Sequence, residues 1–494
     1  MPADLRAADA PSVRFMGPRR LTKPVLLEAK VGGLKRVVAV TFLLDGRPLG
    51  SDTTVPYALD VDPALLPPGA HRLRVEAVDA MGRRTSTKPT EVTVAASDPE
   101  IIEASPGRSF AQAREALERG DVTVRLAPGR YEVDELRLGS GARLVGSGAG
   151  TVIVPADSRY WALVVARGTG IRISDLTVEG GAGAATRDGG IAVAVFDGSR
   201  DVRLQRLHIR RVRTHGVNVW GAHSNVSVQD SVIEGAGSAR AGVFTRGSNR
   251  SRDTSVIRSR IRRFRAYGIL LGQQEYGQRA AALHGVALDN VVSDIRDPER
   301  DGCVYDARNT PGCGTNEGGI WTGGVEAAII GNTVLRARWD GIETVGSSTR
   351  TAIVGNEIRS TRSGIYLEHS TNYSVIARNV IVDTEAGIQV EWRYDGIGSS
   401  HNTFFANRIV GAEAVGLFVD TGAEGNRILR NLFVGGARPA ITLQGSSGNV
   451  VRDNLACGGK LGSLVGMESG RWDDGGLAQA RANRLSGNRS VAAC

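Results

Sequence analysis

Residues 363–392 read SGIYLEHSTNYSVIARNVIVDTEAGIQVEW, and the stretch states one pattern twice. SGIYLEH (363–369) and AGIQVEW (386–392) each place a small residue and a glycine before alternating apolar and polar positions, and NVIVD (379–383) lies between them. Each segment has the length of a short strand and is bounded by turn-forming residues. Working outward, the first type recurs as HGVNVWG, AGVFTRG, YGILLG, GGIWTG, DGIETVG, VGLFVD and PAITLQG. The second recurs behind Asn332, Asn356, Asn379, Asn407, Asn431 and Asn454, at intervals of 24, 23, 28, 24 and 23 residues. Two strand series out of phase on a common period of roughly 23 residues describe successive coils of a solenoid.

A strand of this kind cannot bury its apolar face alone, whereas stacked coils bury a continuous core of Ile, Val and Leu. Asparagines repeated at one turn can stack and hydrogen-bond along the axis, satisfying backbone groups that a tight turn would orphan. The repeated glycines supply positive φ or close backbone approach at the opposite corner. Upstream, SFAQAREALERG (109–120) predicts one amphipathic helix, capped by Ser109 and stopped by Gly120, that covers the open apolar end of the first coils. The solenoid domain is therefore expected over 97–494, with 97–150 as its cap and first coils. The excursion 273–318 interrupts the period and is expected as an inserted loop walling a cleft near Trp321. Residues 12–96 read as alternating strands, VVAVTFLLDG (37–46), VPYALDV (55–61), HRLRVEAVDAMG (71–82) and TEVTVAA (90–96), with a turn at Asp45 and Gly46.

The repeats resemble those of pectate-lyase-like right-handed parallel β-helix proteins, over roughly 100–460. In FLLDGRPLGSDTTVPYALDVD and GAHRLRVEAVDAMGR, residues 12–96 resemble the bacterial immunoglobulin-like domains, which serve as spacers or glycan-facing modules. Together these resemblances imply an all-β chain: a right-handed parallel β-helix solenoid preceded by an Ig-like β-sandwich. The group includes polysaccharide lyases, glycoside hydrolases, alginate epimerases and phage tailspikes, so it implies a fold more than a reaction. The Asp-Pro-His core of the alginate epimerases is absent, as are the paired-Asp and Gly-His-Gly motifs of the polygalacturonase-like hydrolases.

Charge and cysteines narrow the setting. The net charge is +9, yet only five of the 61 basic residues are lysines, and none lies between Lys88 and Lys460. Without a basic tail or an arginine-rich helix, a polyanionic glycan is a better expectation than nucleic acid. The four cysteines fall in two local groups, which predicts Cys303–Cys313 and Cys457–Cys494 bridges and an oxidising, extracellular location for a secreted protein. No stretch of 18 apolar residues predicts a membrane span. His208, His215, His223 and His284 lack metal spacing and read as turn or surface residues.

In SGIYLEH, alternation points Ile365 and Leu367 inward and Tyr366 and Glu368 outward. Aligned coils then give an outward row of Trp220, Arg246, Glu368, Glu391, Asp420 and Gln444, and a parallel row of Asn218, Trp321, Glu343, Tyr366, Gln389, Phe418 and Thr442. With coils about 4.8 Å apart, Glu368, Glu391 and Asp420 should stack as three carboxylates. They cannot all stay ionised without a shared proton, an arginine or a cation.

The expected catalytic residues are Glu343, Glu368, Glu391 and Asp420. Trp321, Tyr366, His369, Trp392, Arg393 and Tyr394 flank them as substrate-binding groups, with rings for sugar faces and Arg393 for a charged substituent. Paired carboxylates suit glycoside hydrolysis, retaining for adjacent Glu368 and Glu391 or inverting for the wider Glu343 and Glu368. The same acids (Glu368, Glu391 and Asp420) could hold calcium, as a uronate lyase would need. The leading expectation is a cofactor-free glycoside hydrolase that cleaves an extracellular polysaccharide. The alternatives are a calcium-dependent polysaccharide lyase or epimerase acting on a uronate polymer, and a non-catalytic glycan-binding or structural solenoid whose outward acids merely solvate its surface.

Overall fold

A computed structural model of the protein describes residues 12–33, 36–95, 101–157, 159–181, 189–247, 251–272, 282–296, 318–346, 348–368, 370–391, 398–436, 439–458, 463–468 and 482–494. Among the described residues from Ile101 onward the chain winds through three parallel sheets of 16, 14 and 13 strands, a complete coil giving one strand to each sheet. One coil shows the plan: Ala352–Val354 in the first sheet, Glu357–Arg359 in the second and Ser363–Leu367 in the third. Inward residues stack on their own kind. Ile342, Ile365, Ile388, Leu417 and Ile441 line the third sheet, and Ile358, Ile381 and Ile409 the second, all nearly without solvent exposure. Buried stacks of this kind supply the core that no single coil possesses.

The asparagine series forms a continuous ladder. Asn356 donates from its backbone N–H (3.0 Å) and its Nδ2 (2.9 Å) to Oδ1 of Asn379, and Nδ2 also reaches the Ile329 carbonyl at 2.9 Å. The same arrangement links Asn332, Asn379, Asn407, Asn431 and Asn454, and it extends to Asn290 and Asn488. The residue before each ladder asparagine is left-handed, as at Gly331 (φ 64°), Gly355 (φ 66°) and Arg378 (φ 55°), so the side-chain bonds hold a turn that non-glycine residues adopt only at a cost. A second ladder at another corner joins Asn402, Asn426, Asn449 and Asn483 at 2.8–2.9 Å. The glycines that open the third-sheet strands answer to close approach and not to positive φ. A Cβ on Gly364 would lie 2.4 Å from Ile381 Cγ2 and 2.5 Å from the Gly387 carbonyl oxygen.

The helix runs Arg108–Arg119 and buries Phe110, Ala113, Ala116 and Leu117 over the first coils. Its N-terminus differs from expectation. Gly107 is the cap, without a side-chain bond, and the Ser109 hydroxyl instead donates to the Ser105 carbonyl at 2.9 Å. A Cys457–Cys494 disulfide closes the last coils, whereas Cys303 and Cys313 lie outside the described residues, as does most of 273–318.

The N-terminal sandwich packs Ser12–Phe15, Val25–Gly32 and Ala58–Val61 against a second sheet centred on Val37–Leu44 and Gly69–Asp79. Its core includes Leu27, Phe42, Leu59, Leu73, Val75 and Val92. The domain does not stand off as a spacer. Val38, Ala39, Val78 and Ala80 join Ile257, Leu288, Ile330 and Val354 of the first sheet in one apolar cluster. Around it Gln229 bonds both backbone groups of Ser51 at 2.8 Å, while Arg258 reaches Ser51 Oγ (2.9 Å) and is held bidentate by Asp230. Arg143–Asp60 and Arg84–Asp289, each at 2.6 Å, extend the contact along the axis.

Candidate active site

The third sheet carries the candidate residues on its outer face. Its backbone register pairs Trp321 with Glu343, Glu343 with Tyr366, Tyr366 with Gln389 and Gln389 with Phe418. One position past the strands, the N–H groups of Glu368, Glu391 and Asp420 bond carbonyls of the preceding coil, Thr344, Leu367 and Val390, at 2.8–3.0 Å. The register thus keeps Trp321, Glu343, Tyr366, Gln389 and Phe418 in one row and Glu368, Glu391 and Asp420 in a parallel one. A third outward column, absent from the sequence reading, begins each strand and aligns Asp340 with Ser363 and Ala386.

The columns bring four carboxyl groups together: Asp340, Glu343, Glu368 and Glu391. Glu343 has no solvent exposure, and neither of its oxygens meets a hydrogen-bond partner in acceptable geometry. Burial, reinforced by Asp340 and Glu368, pushes its carboxyl well above the usual range. Asp340 is pushed up to about 7, chiefly by burial and further by Glu368 and Glu391, with Ser363 and Arg362 opposing. The phenol of Tyr366 donates to Glu391, and burial with the adjacent Glu391 and Glu368 carboxylates holds its proton well above the ordinary range. Ser363 Oγ donates to Gln389 Oε1 at 2.8 Å. Asp420 is 6% exposed and accepts a bond from the Thr421 N–H at 2.7 Å.

Aromatic and basic groups surround this cluster. The Arg362 guanidinium lies 4.9 Å from the centre of the Trp339 ring and 3.5 Å from a Glu385 carboxylate oxygen, bringing a cation beside Asp340. Trp321 is only 4% exposed. It packs with Phe244, Leu270 and Tyr267, so it closes one end of the cluster instead of offering an open sugar platform. His369, Trp392, Arg393 and Tyr394 lie outside the described residues. His215, expected as a turn or surface residue, is buried within a strand beside Phe244 with ring centres 4.7 Å apart. His223 is likewise buried, whereas His284 sits exposed between Asp253 and Glu326.

Chemically, the site combines carboxyls that keep a proton near neutrality with a carboxylate held by a phenol. That division is what acid–base chemistry on a sugar acetal requires. Asp340 leaves a mark in the sequence, because in the aligned series it alone puts an acid immediately before the corner glycine, but alternation from Ile342 would turn it inward. Among the described residues, no group of three or more His, Cys, Asp or Glu side chains is arranged to hold a metal ion.

Two family models match parts of the chain. Residues 11–75 match a bacterial Ig domain, and residues 289–440 match a family described as periplasmic copper-binding protein (NosD). Copper favours imidazole and soft sulfur ligands. Residues 289–440 contain no methionine, their Cys303, Cys313 and His369 lie outside the described residues, and the described histidine there, His401, is stacked on Tyr373 at 5.1 Å. The described residues thus do not fit a copper centre.

No curated protein matches. Among solved structures, the catalytic domain of a GH87 α-1,3-glucanase in complex with nigerose is 12% identical, with a TM-score of 0.50 over 95% of this chain and 90% of that one. The pre-mature gene product 12 of bacteriophage phi29 is 14% identical, with a TM-score of 0.51 over 78% of this chain and 54% of that one. The A-module of a mannuronan C-5 epimerase from Azotobacter vinelandii is 14% identical, with a TM-score of 0.44 over 77% and 94%. Identities this low speak to fold. No helix among the described residues is long and apolar enough to cross a membrane. The chain joins a domain that matches a bacterial Ig domain to a right-handed parallel β-helix.

Proposed function

We propose that this protein is secreted and cleaves glycosidic bonds of an extracellular polysaccharide, with its reacting groups on the outer face of the third sheet. The observation that carries the reading is the carboxyl cluster of Asp340, Glu343, Glu368 and Glu391, in which burial makes Asp340 and Glu343 hold their protons while Glu391 accepts a hydrogen bond from the Tyr366 phenol. Glu368, next to the proton-rich pair of Asp340 and Glu343, protonates the leaving oxygen as general acid. Glu391, oriented by the Tyr366 phenol, acts on the opposite side as nucleophile or base. Asp420, one coil further, orients the neighbouring sugar. The solved glucanase carrying nigerose in the same architecture supports a carbohydrate role.

The test is a polysaccharide panel assayed for new reducing ends and for unsaturated products, with and without chelator. Chelator-resistant reducing ends that vanish in Glu368→Gln and Glu391→Gln fit the proposal. Chelator-sensitive release of unsaturated uronates would replace it with a calcium-dependent lyase, and binding without turnover would replace it with a non-catalytic solenoid.

A further inference from the structure

The third sheet is divided along its length. Its strands from Leu136–Leu138 through Gly318–Thr322 contain no aspartate or glutamate, and acids enter it at Asp340. In that half, one strand (His215–Gly221) presents His215, Asn218 and Trp220, and the Asp197 carboxylate just past its end accepts a bond from the Ala222 N–H at 2.5 Å. The half-buried Trp161 packs on the apolar side chains of Ala162, Val165, Ile191 and Ala194, with its ring centre 5.9 Å from that of Trp220. Exposed Arg240 borders the patch, its guanidinium 5.2 Å from the Phe244 ring centre.

Two of these residues are deeply buried without a partner. His215 is 7% and Asn218 3% exposed, yet both ring nitrogens of His215 and Oδ1 of Asn218 lack a hydrogen bond within the protein. Buried polar groups normally find partners, so such atoms on an outward-facing strand await some from outside. Burial and Arg240 push the imidazole down to about 3, leaving it neutral, with one nitrogen to donate and one to accept. Donor, acceptors, an indole face and a guanidinium are together what a sugar ring bearing a carboxylate requires.

We infer that the N-terminal half of the third sheet is a second, non-catalytic glycan site, built on Trp161, His215, Asn218, Trp220 and Arg240, that holds a uronate-bearing stretch of the polysaccharide. It rests on the proposed cleavage only in taking both sites to engage one chain. Trp220 lies five coils before Glu368, roughly 24 Å at about 4.8 Å per coil. That separation exceeds the screening length of about 10 Å, so carboxylates at one site do not repel an anionic sugar at the other.

The test is calorimetric titration of the full-length protein, as wild type and with Glu391→Gln to stop turnover. The probes are polygalacturonate and polymannuronate oligomers of about two and about eight sugars, with dextran as a neutral control. Trp220→Ala and Arg240→Gln should each weaken the uronate oligomers of both lengths about tenfold, and on the longer ones should raise KM without lowering kcat. Trp220→Phe, which keeps a ring, should retain most of the affinity and so exclude a folding defect. The inference fails if both variants bind like wild type, if dextran binds as tightly as the uronates, or if no uronate oligomer binds wild type. Cleavage that depends on Glu368 but ignores Trp220 would sink this site and leave the proposed function standing. Uronate binding lost in Trp220→Ala, with no cleavage by wild type, would do the reverse.

Discussion

The phenol of Tyr366 donates a hydrogen bond to the carboxylate of Glu391, its neighbour one coil further along the solenoid. Because burial and nearby carboxylates keep the phenol protonated, this donor persists across the working pH range. Tyr366→Phe deletes it without changing the ring, so kcat on a cleaved glycan should fall about 10- to 100-fold. Glu391→Gln, which removes the carboxylate itself, should cost about 10²- to 10⁴-fold. Steady-state kinetics with circular dichroism as a fold control would check both, and wild-type rates in Tyr366→Phe would remove Glu391 from its proposed role.

Asp340 gives a pH dependence of defined sign. Its folded-state pKa, about 7, lies above the ordinary 3.8, so between those values the folded chain binds more protons than the unfolded one. Its contribution to stability is fully present below about pH 4 and declines as pH rises toward 7. Asp340→Asn removes this loss. Thermal melts at pH 5 and pH 8 should show Tm falling more in wild type than in the variant, and parallel profiles would mean that Asp340 titrates normally.

The asparagine ladder predicts a stability effect far from any chemistry. Asn379→Ala leaves the Ile353 carbonyl and the Asn356 donors without their buried partner. The loss should be about 3 kcal/mol or more, read as a lower urea midpoint. A midpoint shift under about 0.5 kcal/mol would show that the backbone alone closes these turns.

Docking of the Ig domain should make the chain unfold as one unit. Gln229→Ala strips both backbone groups of Ser51 of their partners in a buried setting, and about 2 kcal/mol of interface stability should go with it. Calorimetry should show one cooperative transition in wild type and an earlier, broadened one in the variant. A separate early transition in wild type would mean that the domain is tethered and not fused to the solenoid flank.

The sequence by itself determined the coil. Each turn must present the same inward Ile, Val or Leu and the same corner asparagine as its neighbours, and that demand writes itself into the chain as a period. The outward rows of Glu343 and Tyr366, and of Glu368, Glu391 and Asp420, followed from it by alternation. The second ladder was harder to see because Ser374 stands where later coils place Asn402 and Asn426, so its spacing fades toward the N-terminus.

Only the tertiary structure decided the rest. Asp340 joins the site through the close-packed bend at Gly341, which turns it outward although plain alternation from Ile342 would not. The Ig domain meets the first sheet through residues as distant in sequence as Arg36 and Arg350, whose contact no local pattern encodes. That Asp340 and Glu343 hold their protons depends on their losing water to the packed coils. Desolvation belongs to the packed assembly, not to any one residue, so the sequence placed the acids while the fold assigned their charge.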